Sequence, residues 1–177
     1  MKANKNILIS GGSGFVGTAL REFLEGKGFN VAVLSRREKV EGVNSYKWDH
    51  NSNFIEEGAI EFADIIIHLA GESVAGGRWT DKRKERIINS RVKSTQLLYD
   101  AIKNSVKKPK LFLSASAVGY YGHDDNNELC DETSEPGNDF LAQVVVKWEN
   151  EVKKIRDLGI RTNMIRIGIV LGENGGA

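Results

Sequence analysis

A run of small residues near the amino terminus, Ser10–Gly17, has the spacing of a phosphate-binding turn. Gly12, Gly14 and Gly17 fit G-x-G-x-x-G, and the wider G-x-x-G-x-x-G begins at Gly11. The run lies between an apolar segment, 7–9, and an amphipathic one, where backbone N–H groups and a helix N-terminus can receive a dinucleotide's pyrophosphate. The alternative is a glycine-rich turn with a structural role. The predicted cofactor contacts here are Gly11, Gly12, Ser13, Gly14, Phe15, Val16 and Gly17.

The residues after the second apolar strand indicate which dinucleotide fits. An NAD site usually carries Asp or Glu there to accept bonds from the ribose hydroxyls, whereas this chain has Ser35, Arg36 and Arg37. A guanidinium can hold a 2′-phosphate bidentately, and a serine hydroxyl can donate one more bond. These three residues therefore favour NADP(H) over NAD(H). The alternative is a solvated turn, and Glu38 nearby weakens the preference.

Strand-like and helical patterns alternate along the chain and must position these residues. Strands are predicted at 6–10, 31–34, 46–48, 64–69, 111–116 and 163–170, and helices at 14–27, 55–62, 80–104 and 140–158. Thr80 and Asp139 are predicted N-caps of the two longer helices. This alternation predicts an α/β protein with a doubly wound parallel sheet of strand order 3-2-1-4-5-6. Its ligand is expected across the carboxyl ends of the strands.

Several short segments together resemble one protein superfamily. Beyond the glycine run, they are Leu69-Ala70-Gly71-Glu72, Arg78-Trp79-Thr80, Ser90-Arg91-Val92, Ser116–Gly122, Asp139–Ala142, Trp148-Glu149 and Arg166-Ile167-Gly168. On these segments the chain resembles short-chain dehydrogenase/reductases of the extended or atypical type. More closely, it is similar to the NAD(P)-binding epimerase-like subfamily that includes the bacterial YfcH proteins. The resemblance covers essentially the whole chain and implies a Rossmann fold, NADP(H) binding, and epimerase or reductase chemistry on a small molecule resembling a nucleotide sugar.

The resemblance also implies roles for individual residues. Reductases of this superfamily use a Ser or Thr that polarises the substrate oxygen, a Tyr acid/base, and a Lys four residues after the Tyr. Ser116 matches the serine, and Tyr120 or Tyr121 in the following loop is the candidate acid. Their alternatives are a serine bonded to its own backbone and tyrosines packed in a turn. The cofactor contacts implied by the resemblance are Leu69, Ala70, Gly71 and Arg91.

The Tyr-x-x-x-Lys pair itself is missing from the expected helix. Lys147 stands on that helix, but the residue four positions earlier is Gln143, whose amide cannot exchange a proton near neutral pH. Two functions therefore stay open: an NADP(H)-dependent oxidoreductase or epimerase, and a nucleotide-binding protein without catalysis. Ser116 and the tyrosine pair favour the first function, and Gln143 favours the second.

Length and composition set the remaining expectations. All 177 residues are expected to form one NAD(P)-binding domain, and a net charge of +1 gives no reason to expect nucleic acid or membrane partners. A single cysteine, Cys130, fits a reducing, cytoplasmic setting. His50 and His123 are scattered, so no metal site is expected, and His68 in its apolar strand is expected to be a satisfied core residue.

The resemblance also bears on the end of the chain. Related proteins continue for roughly another domain, which forms much of their substrate pocket, so this substrate region is expected to be absent. Apolar surface that such a region covers would then be exposed, which favours a homo-oligomer.

Overall fold

The computed structural model describes residues 5–37, 42–75, 77–123 and 129–172, together with 175–176. Seven strands in this part of the chain form one sheet: β1 Asn6–Ser10, β2 Asn30–Ser35, β3 Ser45–Asp49, β4 Phe54–Ile55, β5 Ile65–His68, β6 Leu111–Ala117 and β7 Arg161–Ile167. The helices are α1 Phe15–Gly26, α2 Ala59–Phe62, α3 Asp81–Asn104, α4 Phe140–Arg156 and a 3-10 helix at Val118–Tyr121. Strands β8 Leu171–Gly172 and β9 Gly175–Gly176 pair separately.

The sheet confirms the doubly wound fold. Its order is β4-β3-β2-β1-β5-β6-β7, and six of these strands run parallel in the predicted order 3-2-1-4-5-6. The seventh, β4, pairs antiparallel with β3 at the edge of the sheet, where Ile55 lies opposite Trp48. The prediction of a helix over 55–62 was therefore wrong at its start, because cross-strand pairing holds Ile55 extended.

Local capping chemistry fixes the starts of the two long helices as predicted. The Thr80 hydroxyl accepts a hydrogen bond from the Arg83 amide, at 3.3 Å, at the start of α3. At the start of α4, the Asp139 carboxylate accepts from the Ala142 amide at 2.8 Å. Each contact satisfies an amide that has no partner inside its own helix.

Both faces of the parallel sheet are buried, as helices on two sides require. Leu8, Ile66 and Phe112 point to one face and pack with residues of α3 and α4. Ile7 and Ile9 point to the opposite face, against α1. This arrangement leaves the carboxyl ends of the strands as the open edge of the sheet.

Part of the surface near β7 is apolar and exposed. Ile165 is 54% exposed, and Ile169 and Leu171 are more exposed still. Self-association through such surface stays a prediction. Among the described residues, no helix combines the length and apolar character that crossing a membrane requires.

Candidate functional site

A cleft of about 660 Å³ opens at the carboxyl ends of the strands. This volume is in the usual range for a small-molecule or cofactor site. Nine of the residues predicted to bind the cofactor line this cleft: Gly11, Ser13, Gly14, Ser35, Arg36, Arg37, Leu69, Ala70 and Gly71. The other five predicted contacts do not line it: Gly12, Phe15, Val16, Gly17 and Arg91.

The glycine turn is shaped by the packing of the protein on itself. Gly11 has a φ of +74°, and a Cβ there would lie 2.8 Å from the carbonyl carbon of Leu69. A Cβ at Gly17 would overlap the carbonyl oxygen of Gly11, so α1 can start this close to the turn only with glycine.

Gly14 differs from these two glycines because it lies at the cleft. A Cβ on Gly14 would meet one atom of the protein, the Gly11 oxygen at 3.3 Å, and would otherwise project into open space. Gly14 is also the N-cap of α1, where helix amides and the helix dipole favour an anion. This cradle fits a pyrophosphate.

Positive side chains dominate the part of the cleft formed after β2. Arg36 and Arg37 are exposed and line it, and the Ser35 hydroxyl accepts from the Arg37 amide at 3.1 Å. Glu38, whose charge weakened the preference for NADP(H), lies outside the described residues. Guanidinium groups in this position can bind an anionic group of a ligand.

Besides Leu34 of β2, sequence reasoning missed seven residues that line the cleft: Trp48, His50, Asn51, Glu72, Arg86, Asn89 and Ser90. The first three follow or end β3, whose carboxyl end lies beside that of β2. The rule that ligands bind at the carboxyl ends of parallel strands could have found them. The others lie after β5 or on the first turns of α3, where Arg86 and Glu72 form an ion pair at 3.2 Å.

His68 occupies the core directly behind the cleft, and its hydrogen bonds define its tautomer. Its Nε2 lies 3.1 Å from the Thr95 hydroxyl and 3.3 Å from that of Ser94. Both hydroxyls donate to carbonyl groups of α3, so Nε2 carries the hydrogen and donates to them. His68 Nδ1 then accepts from the Ser10 hydroxyl at 2.6 Å, and Ser10 accepts from the Ala70 amide at 3.4 Å.

This chain of bonds joins both loops of the cleft to α3. Ser10 ends β1 next to the glycine turn, and Ala70 lies in the loop after β5. Complete burial lowers the pKa of His68 to about 3, with repulsion from Arg91 and His50 adding to the effect. The ring is therefore neutral near pH 7, and the expectation of a satisfied core histidine is confirmed.

Ser116 lies away from the cleft lining, in a buried polar network. It is 3% exposed, and its hydroxyl donates to the Glu149 carboxylate at 2.6 Å. Arg166 holds the same carboxylate bidentately, through Nε at 3.0 Å and Nη2 at 3.1 Å. Burial alone would raise the pKa of Glu149, but the bonds from Arg166 and Ser116 lower it below its usual value.

The two candidate tyrosines also contact Arg166. Its Nη1 donates to the Tyr121 hydroxyl at 2.9 Å, and its guanidinium carbon lies 3.4 Å from the centre of the Tyr120 ring. Neither tyrosine lines the cleft. The network of Ser116, Tyr120, Tyr121, Glu149 and Arg166 thus joins β6, the 3-10 helix, α4 and β7, and catalytic roles for its hydroxyls stay predictions.

Apolar residues precede Glu149 along its side of α4. Glu149 faces Ser116, and one and two turns earlier lie Val145 and Leu141 on the same stripe. Gln143 and Lys147 lie instead on the exposed face. The α4 residue that contacts Ser116 is therefore Glu149, and neither Gln143 nor Lys147 shares its face of the helix.

Arg91 supports the loop after β5 from behind. Its Nη1 donates to the carbonyl groups of Glu72 and Ile87, both at 3.1 Å. A Cβ at Gly71 would lie 3.1 Å from the guanidinium carbon of Arg91, so this side chain lies directly under a lining residue. Burial lowers the pKa of Arg91, and the Glu72 carboxylate partly opposes that effect. A direct contact between Arg91 and the cofactor stays a prediction.

The solved structures similar to this chain include two from the same kind of protein. One is the crystal structure of the nucleoside-diphosphate sugar epimerase from Corynebacterium glutamicum, with a TM-score of 0.82 and 36% identity, covering 98% of this chain and 36% of that one. The other is human epimerase family protein SDR39U1 (isoform 2) with NADPH, with a TM-score of 0.81 and 30% identity, covering 97% of this chain and 56% of that one.

Sequence relatives agree with the structural neighbours. Epimerase family protein YfhF of Bacillus subtilis is 36% identical over 172 residues, which cover 96% of this chain and 56% of that protein. The chain thus spans a little over half the length of this relative. Residues 7–173 match the NAD dependent epimerase/dehydratase family, and the chain belongs to that family.

Proposed function

We propose that this chain is an NADP(H)-binding oxidoreductase or epimerase of the short-chain dehydrogenase/reductase superfamily. The observation that carries the proposal is the cleft itself, in which the Gly14 cradle and the exposed Arg36 and Arg37 face one space. A pyrophosphate fits the cradle, and a 2′-phosphate fits the arginines. SDR39U1, a relative at 30% identity, has a structure with NADPH, which supports the same cofactor here.

Within this proposal each side of the cleft has a defined task. The amides of the glycine turn bind the pyrophosphate, and Ser35, Arg36 and Arg37 bind the 2′-phosphate. Leu69, Ala70 and Gly71 form the opposite wall, held in place by His68 through Ser10. When bound, the nicotinamide supplies hydride transfer, and the protein supplies position and exclusion of water.

The proposed substrate is a small molecule resembling a nucleotide sugar. The support is the Corynebacterium glutamicum relative, which is described as a nucleoside-diphosphate sugar epimerase and is 36% identical. We also propose a cytoplasmic protein, in line with its single cysteine.

Arg36→Ala tests the cofactor proposal most directly. Loss of a charge-assisted contact to the 2′-phosphate is expected to weaken NADPH binding about 10-fold or more, with NADH binding changed less than about twofold. Titration of both cofactors by calorimetry measures the two affinities. Arg161→Ala is the matched control, because it removes the same charge from an exposed position on β7, outside the cleft. Tighter binding of NADH than NADPH, or no loss in Arg36→Ala, would overturn the proposal.

A second function, NADP(H) binding without catalysis, has its own support. The Ser116 hydroxyl is bonded to Glu149, and Gln143, on the exposed face of α4, stands where the tyrosine of a Tyr-x-x-x-Lys pair is expected. Turnover of NADPH with carbonyl substrates, or of nucleotide sugars with NADP⁺, separates the two functions. Any turnover that Ser116→Ala abolishes would exclude the binding-only function.

A further inference from the structure

His50 lines the cleft on the side where the arginines lie. It follows β3, whose carboxyl end is next to that of β2, so His50 and Arg36 approach one space from two neighbouring strands. The ring is half-buried and lies against Trp48, with centroids 6.2 Å apart. A ligand group between Arg36 and His50 would contact a fixed cation and a titratable one.

Three charged groups act on His50, each from a different element. Arg36 acts from the loop after β2, Lys93 from α3, and Asp49 from the end of β3. His68 on β5 is the other titratable group that interacts with His50, and it is neutral because its pKa is about 3. The Asp49 carboxylate accepts from the Asn51 amide, at 2.9 Å, and from the Asn51 side chain, at 3.3 Å.

The balance of these charges favours a neutral ring in the free cleft. Burial lowers the pKa of His50, Asp49 partly opposes this, and Arg36 and Lys93 lower it further. A phosphate dianion placed beside Arg36 would offset the positive charges of Arg36 and Lys93. It would also favour the protonated, positively charged form of His50. Binding of that dianion is thereby coupled to protonation of the imidazole.

We infer that His50 is a specificity-determining residue that takes up a proton when the 2′-phosphate of NADPH enters the cleft. This inference rests on the proposed function and deepens it. The proton moves from solvent to the unprotonated imidazole nitrogen, and the resulting N–H donates to a phosphate oxygen. NADH, which carries a hydroxyl at the same position, brings no charge that would favour protonation.

Calorimetry in two buffers of different ionisation enthalpy, Tris and HEPES, counts the protons bound with the cofactor. At pH 7.5 a phosphate with a second pKa near 6 is almost fully ionised, so its own titration contributes little. Wild-type protein is expected to take up about 0.3–1 proton with NADPH and close to none with NADH.

His50→Asn is the informative variant. It is expected to abolish the proton uptake and to weaken NADPH binding about 3–10-fold, with NADH binding within about twofold of wild type. Retained NADH binding also shows that the variant is folded. His123→Asn, which removes an exposed imidazole outside the cleft, is the matched control and should leave both quantities unchanged.

Each outcome has a defined meaning. Preference for NADPH without proton uptake, or equal loss of both cofactors in His50→Asn, would overturn the role of His50 while the proposed function stands. Equal loss would instead place the ring against the adenine or ribose that both cofactors share. Absence of any preference for NADPH would overturn the proposed function itself.

Discussion

Two polar regions beside the parallel sheet use similar residue types in opposite ways. In the cleft, exposed Arg36 and Arg37 face a space of about 660 Å³. In the network around Ser116, Arg166 holds a carboxylate bidentately, and that carboxylate also accepts the serine hydroxyl. In the first region the charged side chains face a space large enough for a ligand. In the second region the charged side chains are paired with each other inside the protein.

This difference separates binding from stability. A charged group that faces open space retains its hydration until a ligand replaces the water, so removing it should affect affinity more than folding. A buried pair has already lost its hydration, so removing one partner leaves the other uncompensated. Mutations in the two regions should therefore be distinguishable by which quantity changes.

The largest effect on stability is expected when the Ser116 network loses the negative charge of Glu149. Glu149→Gln leaves the mostly buried Arg166 without its counter-ion, which should lower the free energy of unfolding by about 3–5 kcal/mol. For a chain of this length the melting temperature should fall by roughly 10 °C. Thermal and urea denaturation measure both quantities.

Glu151→Gln is the matched control on the same helix. It breaks a pair with the half-exposed Lys154, at 2.8 Å, and should cost less than about 1 kcal/mol. Equal losses in the two variants would show that Glu149 is no better buried than Glu151, and the contrast between network and cleft would fail.

A loss of stability of intermediate size is expected at low pH from His68, which lies between the cleft and the Ser116 network. Its folded-state pKa of about 3 is below the unfolded value of 6.5, so the unfolded chain binds this proton first as the pH falls. The contribution of His68 to stability is complete above pH 6.5 and should decrease by about 2–3 kcal/mol on acidification to pH 4.5.

Nitrogen NMR of the folded protein tests this prediction without a variant. The His68 ring should remain neutral, with the hydrogen on Nε2, down to pH 4.5. Protonation of the His68 ring above pH 5 in the folded protein would contradict the hydrogen bonds in which Ala70 donates to Ser10 and Ser10 donates to His68.

The sequence revealed features that depend on residues close together in the chain. The glycine turn, the Ser35–Arg37 segment and the helix caps at Thr80 and Asp139 each follow from a few consecutive residues, and the cleft and helices are formed where those residues predict. Trp48 and His50 were missed because their part in the cleft depends on the lateral pairing of β3 with β2.

Ser116 illustrates the same limit for catalysis. A serine at the end of a strand can either face a bound ligand or form a hydrogen bond within the protein, and its residue type is the same in both cases. Its partner Glu149 is 33 positions away in sequence, so no local pattern could distinguish the two. The burial of both side chains, at 3% and 2% exposed, requires the three-dimensional packing of α4 on β6.

The smallest effect on stability is expected for a substitution in the glycine turn. This turn also offers the clearest separation between a loss of cofactor affinity and a loss of stability. Gly14→Ala adds a methyl group that meets the Gly11 oxygen at 3.3 Å and projects into the cleft, so stability should change by no more than about 0.5 kcal/mol. NADPH affinity should fall about 10-fold or more, because the methyl group occupies space that the pyrophosphate needs.

Gly17→Ala is the paired variant and should mainly destabilise the protein, because its methyl group overlaps the Gly11 carbonyl. Wild-type NADPH affinity in Gly14→Ala would show that no ligand approaches this glycine, and the turn would then have only a structural role.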